Sequence, residues 1–99
     1  MKILELNEKQ FALTFNIGVL RRIQNKQNLN LNDIFREIGN QNIDTIYLLF
    51  KEMLLDKNQY SEEFLDSLTF TEFSKMITLI TELIVDSMPK STSKDKKKK

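Results

Sequence analysis

The sequence predicts an α+β fold, mostly α: an N-terminal β-hairpin followed by four to five helices packed as a small bundle, with a disordered Lys-rich C-terminal tail. Three observations predict it. Two short apolar runs lie within the first fifteen residues; apolar residues then recur at helical spacing from Ile17 to Met88; and beyond Pro89 no apolar residue follows. A chain of 99 residues has room for one domain, which the pattern places at 1–88, leaving 89–99 as the tail. A domain of this size buries only about 60–65% of the surface its unfolded chain exposes, so contacts with a partner can add materially to its stability.

The hairpin is read over 2–15. Ile3-Leu4-Glu5-Leu6 and Phe11-Ala12-Leu13-Thr14-Phe15 flank the polar stretch Asn7-Glu8-Lys9-Gln10, which predicts two strands joined by a four-residue loop. Phe11, Leu13 and Phe15 share one face. Because an isolated hairpin is not stable in water, that face must pack on helices or pair with another chain, and two strands leave two open edges.

Asn16 stands as an N-cap before Ile17, Val19, Leu20 and Ile23, which fall within an arc of about 160° and predict a helix over about 17–26. Arg21, Arg22 and Asn25 lie on its wet face. A connector (Gln27-Asn28-Leu29-Asn30) leads to Leu31, Ile34, Phe35 and Ile38, a helix over 31–38 that Asn30 or Asn32 caps and Gly39 terminates. A third helix is expected over 43–57, with Ile43, Ile46, Tyr47, Phe50, Met53 and Leu54 on one face. Leu48 and Leu55 fall on its other side, among Asp44, Lys51 and Glu52. Ser61 caps a short helix over 62–68, with Glu62 and Glu63 in its first turn as the helix dipole prefers. The last helix, 70–88, has the clearest start: Thr69-Phe70-Thr71-Glu72 matches a capping box, with Leu68 and Phe73 placed as its hydrophobic staple. Phe70, Phe73, Met76, Ile77, Ile80, Leu83, Ile84 and Met88 span about 140° of it, whereas Leu79 falls among Lys75, Glu82 and Asp86.

The composition removes most chemistry. There is no cysteine and no histidine, so thiolate and imidazole nucleophiles, bases and zinc ligands are all missing. Two glycines in the whole chain leave no material for a phosphate-cradling loop. The acid pairs Glu62/Glu63 and Asp33/Glu37 sit at helical spacing, where carboxylates are normally solvated. No catalytic residue, cofactor or metal ligand is assigned, and an enzyme is not expected. The N-terminus lacks the apolar run of a secretory signal, and Phe70 to Met88 carries four charged residues where a membrane span needs about 20 nearly uncharged ones, so an intracellular protein with no membrane partner is expected.

A net charge of +1 hides an uneven split. The last ten residues hold six lysines and one aspartate, a local balance of +5, which leaves the body at −4. Clustered lysine attracts phosphate without reading sequence. The acidic body offers no basic stripe and no aromatic–basic interleaving, so the tail reads as a solubilising one and nucleic acid is not the expected partner. Leu48, Leu55 and Leu79 are apolar where their own helices predict water. Either the hairpin or a short helix covers them, or they form a protein-binding surface, to which Arg21 and Arg22 are the nearest polar candidates.

The order of a strand followed by Phe15-Asn16-Ile17-Gly18-Val19-Leu20-Arg21-Arg22 resembles the start of the small tail assembly chaperones of long-tailed bacteriophages and prophages of low-GC Gram-positive bacteria, where a hairpin runs into such a helix start. The likeness continues over 1–88 through the Asn-rich connector, the helices at 31–38 and 43–57, Ser61-Glu62-Glu63 and the final amphipathic helix. Nine asparagines and five glutamines suit an AT-rich genome. The resemblance implies a non-structural protein of the host cytoplasm, absent from the finished virion, that binds the tape measure protein, keeps it soluble and helps tail tube subunits gather around it. It also implies a longer frameshifted product, for which an adenine run encoding Lys96 to Lys99 would be the slippery site. From helix periodicity, Leu48, Leu55 and Leu79, with an edge of the hairpin, are the expected contacts with the tape measure protein or with another copy of the chain. Two alternatives fit the residues: a small DNA-binding regulator of phage or plasmid origin that uses the basic tail, and an antitoxin-like or anti-host inhibitor.

Overall fold

The computed structural model describes residues 1–88, so the tail expected at 89–99 lies outside the described residues. Strands β1 (Lys2–Leu6) and β2 (Lys9–Leu13) form an antiparallel hairpin, followed by α1 (Ile17–Gln27), α2 (Leu31–Gly39), α3 (Ile43–Met53), a 3₁₀ turn at Lys57–Gln59, α4 (Glu62–Asp66) and α5 (Phe70–Ser87). The predicted fold class is the observed one. Among the described residues no helix is long and apolar enough to cross a membrane.

The hairpin loop is two residues, not four. Asn7 and Glu8 both adopt positive φ, 49° and 69°, the backbone of a turn whose twist matches that of the strands it joins. Lys9 and Gln10 therefore pair with Leu6 and Glu5 instead of looping. Sequence pattern missed this because glutamate at the second turn position is not the glycine such turns favour.

Capping residues set the helix starts. Asn16 accepts from the Val19 N–H at 3.0 Å, Ser61 from Phe64 at 3.2 Å, and Thr69 from Glu72 at 3.2 Å. Asn30, rather than Asn32, begins α2 with a full capping box: its side chain accepts from the Asp33 N–H at 2.8 Å while Asp33 accepts from the Asn30 N–H at 3.1 Å. That backbone bond, together with Arg36 at 2.6 Å, holds the Asp33 carboxyl below its usual range. Asn28 takes φ 55° and closes α1, a left-handed position that asparagine tolerates better than most residues. At Thr69 only half of the expected box forms, since the Glu72 carboxylate turns to Lys75 at 3.6 Å.

Helix α3 stops four residues before the predicted end because β2 competes for its chain. The Thr14 N–H donates to the Met53 carbonyl at 2.9 Å and the Leu55 N–H to the Ala12 carbonyl at 3.0 Å, and Leu54 bridges to Leu13. The exposed carbonyls at this end are collected by Lys57, whose ammonium donates to Lys51, Glu52 and Leu54 at 3.0, 2.7 and 2.7 Å. Helix α4 likewise ends two residues early, where Ser67 donates back to the Phe64 carbonyl.

The core gathers Leu4, Leu6, Phe11 and Leu13 of the hairpin with Val19, Ile23, Ile34, Ile38, Ile46, Leu49, Phe50, Met53, Leu54, Leu65, Met76, Ile80, Leu83 and Ile84. The Phe11 and Phe50 rings meet edge to face at 5.3 Å, an arrangement that adds attraction beyond the buried area. Three residues predicted on core faces lie outside it: Ile17, Ile43 and Phe70 are 78%, 51% and 89% exposed. All three are the first residue of their helices. A helical side chain leans back over the preceding turn, and at this position there is no such turn to cover it.

Candidate partner-binding surface

The surface is best built from the hairpin, whose two edges have different fates. On a two-residue turn the flanking pair Leu6 and Lys9 exchanges both backbone bonds, and the alternation makes Leu4 with Phe11 and Lys2 with Leu13 the next bonded pairs. Odd-numbered residues of β1 and even-numbered residues of β2 then direct their backbone groups outward. On β2 these groups are taken: Ala12 and Thr14 bond the 53–55 segment, and the Gln10 carbonyl accepts from the Gln59 amide at 3.1 Å. On β1, no hydrogen bond from another described residue reaches the outward groups of Ile3 and Glu5.

Along that open edge runs a groove of about 720 Å³ between β1 and α5, lined by Ile3, Glu5, Lys75, Thr78, Leu79 and Glu82. Ile3 is 51% exposed. At the groove's end Lys2 lies 3.5 Å from both Glu82 and Asp86, which ties the start of β1 to α5.

The five residues singled out by sequence do not form one patch. Leu79 lines the groove and is half-buried. Leu55 is exposed, yet its backbone closes the opposite edge of the hairpin. Leu48 is half-buried and packs against the core. Arg21 is exposed and makes no ion pair among the described residues. Arg22, expected on a purely wet face, instead reaches across to α3 and holds Glu52 at 3.0 Å.

Glu52 is the largest correction. Its position on the polar side of α3 predicted water, but it is 3% exposed, clamped by Arg22 and by Lys26 at 2.6 Å. Burial pushes its carboxyl up, and the hydrogen bonds from Lys26 and Arg22 outweigh that, leaving it below the usual range. Lys57 is pulled below the usual lysine range by the same burial, against the attraction of Glu52. The spacing of Arg22 and Lys26, four apart on α1, was the only available signal. The cluster acts as a clamp between α1 and α3, and it engages two of the cations a phosphate-binding reading would need.

A second groove, of about 380 Å³, lies where α3 begins and α4 passes to α5, with Ile43, Tyr47, Leu65, Leu68, Phe70 and Phe73 in its lining. The Tyr47 hydroxyl donates to Asp66 at 2.9 Å. Burial and then that bond push the hydroxyl up to about 12. Among the described residues no group of three or more carboxylates is placed to hold a metal ion. Compared with known protein families, curated proteins and solved structures, the chain matches none.

Proposed function

We propose that the protein is a non-enzymatic tail assembly chaperone of a long-tailed bacteriophage or prophage, which binds the tape measure protein in the host cytoplasm, keeps it soluble and assists tail tube assembly. The family resemblance of the segment from Phe11 to Lys26 supplies the partner. The observation that carries the reading is the unsatisfied β1 edge above a groove containing Ile3 and Leu79. An edge of this kind gives main-chain hydrogen bonds to an added strand while the neighbouring groove takes alternate side chains, which suits a holdase for long, unassembled chain. The acidic body supports solubility while that edge is presented.

The test is co-expression with fragments of the tape measure protein. Ile3→Lys, at an exposed position, and Leu79→Lys, at one half-buried against the core, both alter the groove, and both are expected to lower capture while the variant stays folded. Leu48→Gln and Leu55→Gln serve as comparisons on surfaces away from the groove, with Arg21→Ala as a polar one. Undiminished capture by folded Ile3→Lys and Leu79→Lys variants rejects the groove as the binding site.

A further inference from the structure

The open edge of β1 also dictates what an added strand carries. Burial alternates along β1: Leu4 and Leu6 face the core, while Ile3 and Glu5 stand on the opposite, solvent face. The pairings extend that face across the sheet. Ile3 is opposite Ala12 and Glu5 is opposite Gln10. The Ala12 carbonyl in turn accepts from the Leu55 N–H, and the bridge of Leu13 with Leu54 sets Leu55 directly beside Ala12. Two rows result, both ending at the open edge. One is apolar, made by Leu55, Ala12 and Ile3, of which Leu55 and Ile3 are exposed. The other is polar, made by Gln10 and Glu5. The Glu5 carboxylate is exposed and makes no ion pair among the described residues.

We propose that the strand received at this edge runs antiparallel to β1 and carries, in chain order, a lysine or arginine followed by two apolar residues. This order rests on the β1 edge being the surface that receives the tape measure protein, and it adds the class of segment selected there. In antiparallel pairing the outward groups of Ile3 and of Glu5 each exchange both backbone bonds with the residue opposite, whereas the slanted bonds of a parallel pair are slightly less stable. Residues directly opposite share a face and their side chains touch. The residue facing Glu5 therefore stands on the solvent face, where a cation meets an unpaired carboxylate. The next, facing Leu4, turns to the other side and falls over the groove that Leu4 and half-buried Leu79 line, an apolar contact. The third, facing Ile3, returns to the solvent face and extends the apolar row. An antiparallel strand meets Glu5 before Ile3, so the cation comes first; a parallel strand would need the reverse order.

The probes are synthetic peptides of about nine residues, within the usual length of a strand, blocked at both ends and flanked by threonines. The first has Lys-Val-Ile at its centre, the second Glu-Val-Ile and the third the reversed order Ile-Val-Lys. A fourth repeats the first with N-methyl groups on the lysine and isoleucine, which removes the two donors aimed at the edge. Each is titrated into the full chain and followed by amide chemical shifts. The Lys-Val-Ile peptide is expected to shift Ile3, Leu4, Glu5 and Leu79, the second and third to bind about fivefold more weakly, and the fourth to leave these signals in place. Glu5→Lys, at an exposed position, should invert the preference between the lysine and glutamate peptides, and the preference in the parent should shrink as salt is added. Equal binding of the first three peptides at β1, or an unchanged preference in Glu5→Lys, would overturn the proposed order and leave the edge as the binding surface. Undiminished binding of the N-methylated peptide, or no shift at β1 with any peptide, would overturn both. Protection of Ile3 and Glu5 that grows with concentration of the free chain would assign the edge to a second copy and overturn the proposal as well.

Discussion

The two edges of the hairpin carry the same kind of unpaired backbone groups and meet opposite fates. At β2 the chain leaves α3 early to satisfy them, giving up helical bonds at 55–57 for the contacts of Met53 and Leu55 with Thr14 and Ala12, and Gln59 covers the next carbonyl. At β1 no other described residue does so, although α5 passes close enough for Lys2 to reach Glu82 and Asp86. An exposed edge invites pairing with other chains and is ordinarily blunted. A molecule that closes one edge at the expense of a helix end and leaves the other beside a groove has divided the hairpin into a structural half and an accessible half.

Substitutions can break or sharpen this contrast. The largest effect is expected at the closed edge: Leu13→Ala removes a fully buried side chain and should cost about 2–5 kcal/mol, against about 0.5 kcal/mol or less for Ile3→Ala at the open edge. Urea denaturation of the two variants measures both. Next is the clamp behind the closed edge. Glu52→Gln leaves Arg22 and Lys26 without their shared carboxylate and is expected to destabilise by about 1–3 kcal/mol at neutral pH. Because folding lowers the Glu52 pKa, its contribution is complete above the ordinary carboxylate range and is lost as pH falls through the lower folded value. An acid titration of stability should therefore be shallower for Glu52→Gln than for the parent.

The turn joining the two edges comes third. Glu8 sits at φ 69°, so Glu8→Gly should stabilise the protein by roughly 1 kcal/mol, relieving a conformation that costs non-glycine residues about that much. A loss of stability would mean that the turn is not of this type. The smallest change is expected at the second groove: Tyr47→Phe removes the bond to Asp66 and should cost about 0.5 kcal/mol. In the parent the Tyr47 contribution is intact below pH 10 and is lost as pH rises towards 12, since folding raises that hydroxyl. A tyrosinate absorbance titration checks the value.

What the sequence revealed follows the range of the forces involved. Helix starts were legible because Asn16, Asn30, Ser61 and Thr69 act on donors three residues away. The end of α3 was not, because it depends on Leu54 meeting Leu13 across the fold, and periodicity alone continues through 57. The burial of Glu52 was hidden for the same reason: the cations that make it tolerable belong to α1, and helix patterning scores a carboxylate as wet wherever it stands. Leu79 was legible as apolar beside polar neighbours, and the groove it lines needed β1 to appear. Phe70 and Ile43 were assigned to core faces because an apolar arc does not distinguish the first residue of a helix from those with a turn behind them.

Backbone amide exchange in the hairpin tests the division of its edges most directly. In the free protein the N–H groups of Thr14 and Leu55 should be protected and those of Ile3 and Glu5 should exchange rapidly, and adding a tape measure fragment should slow Ile3 and Glu5 selectively. Protection of Ile3 and Glu5 in the free protein, or their continued rapid exchange in a complex that has formed, would contradict the assignment of the β1 edge as the surface that receives the partner.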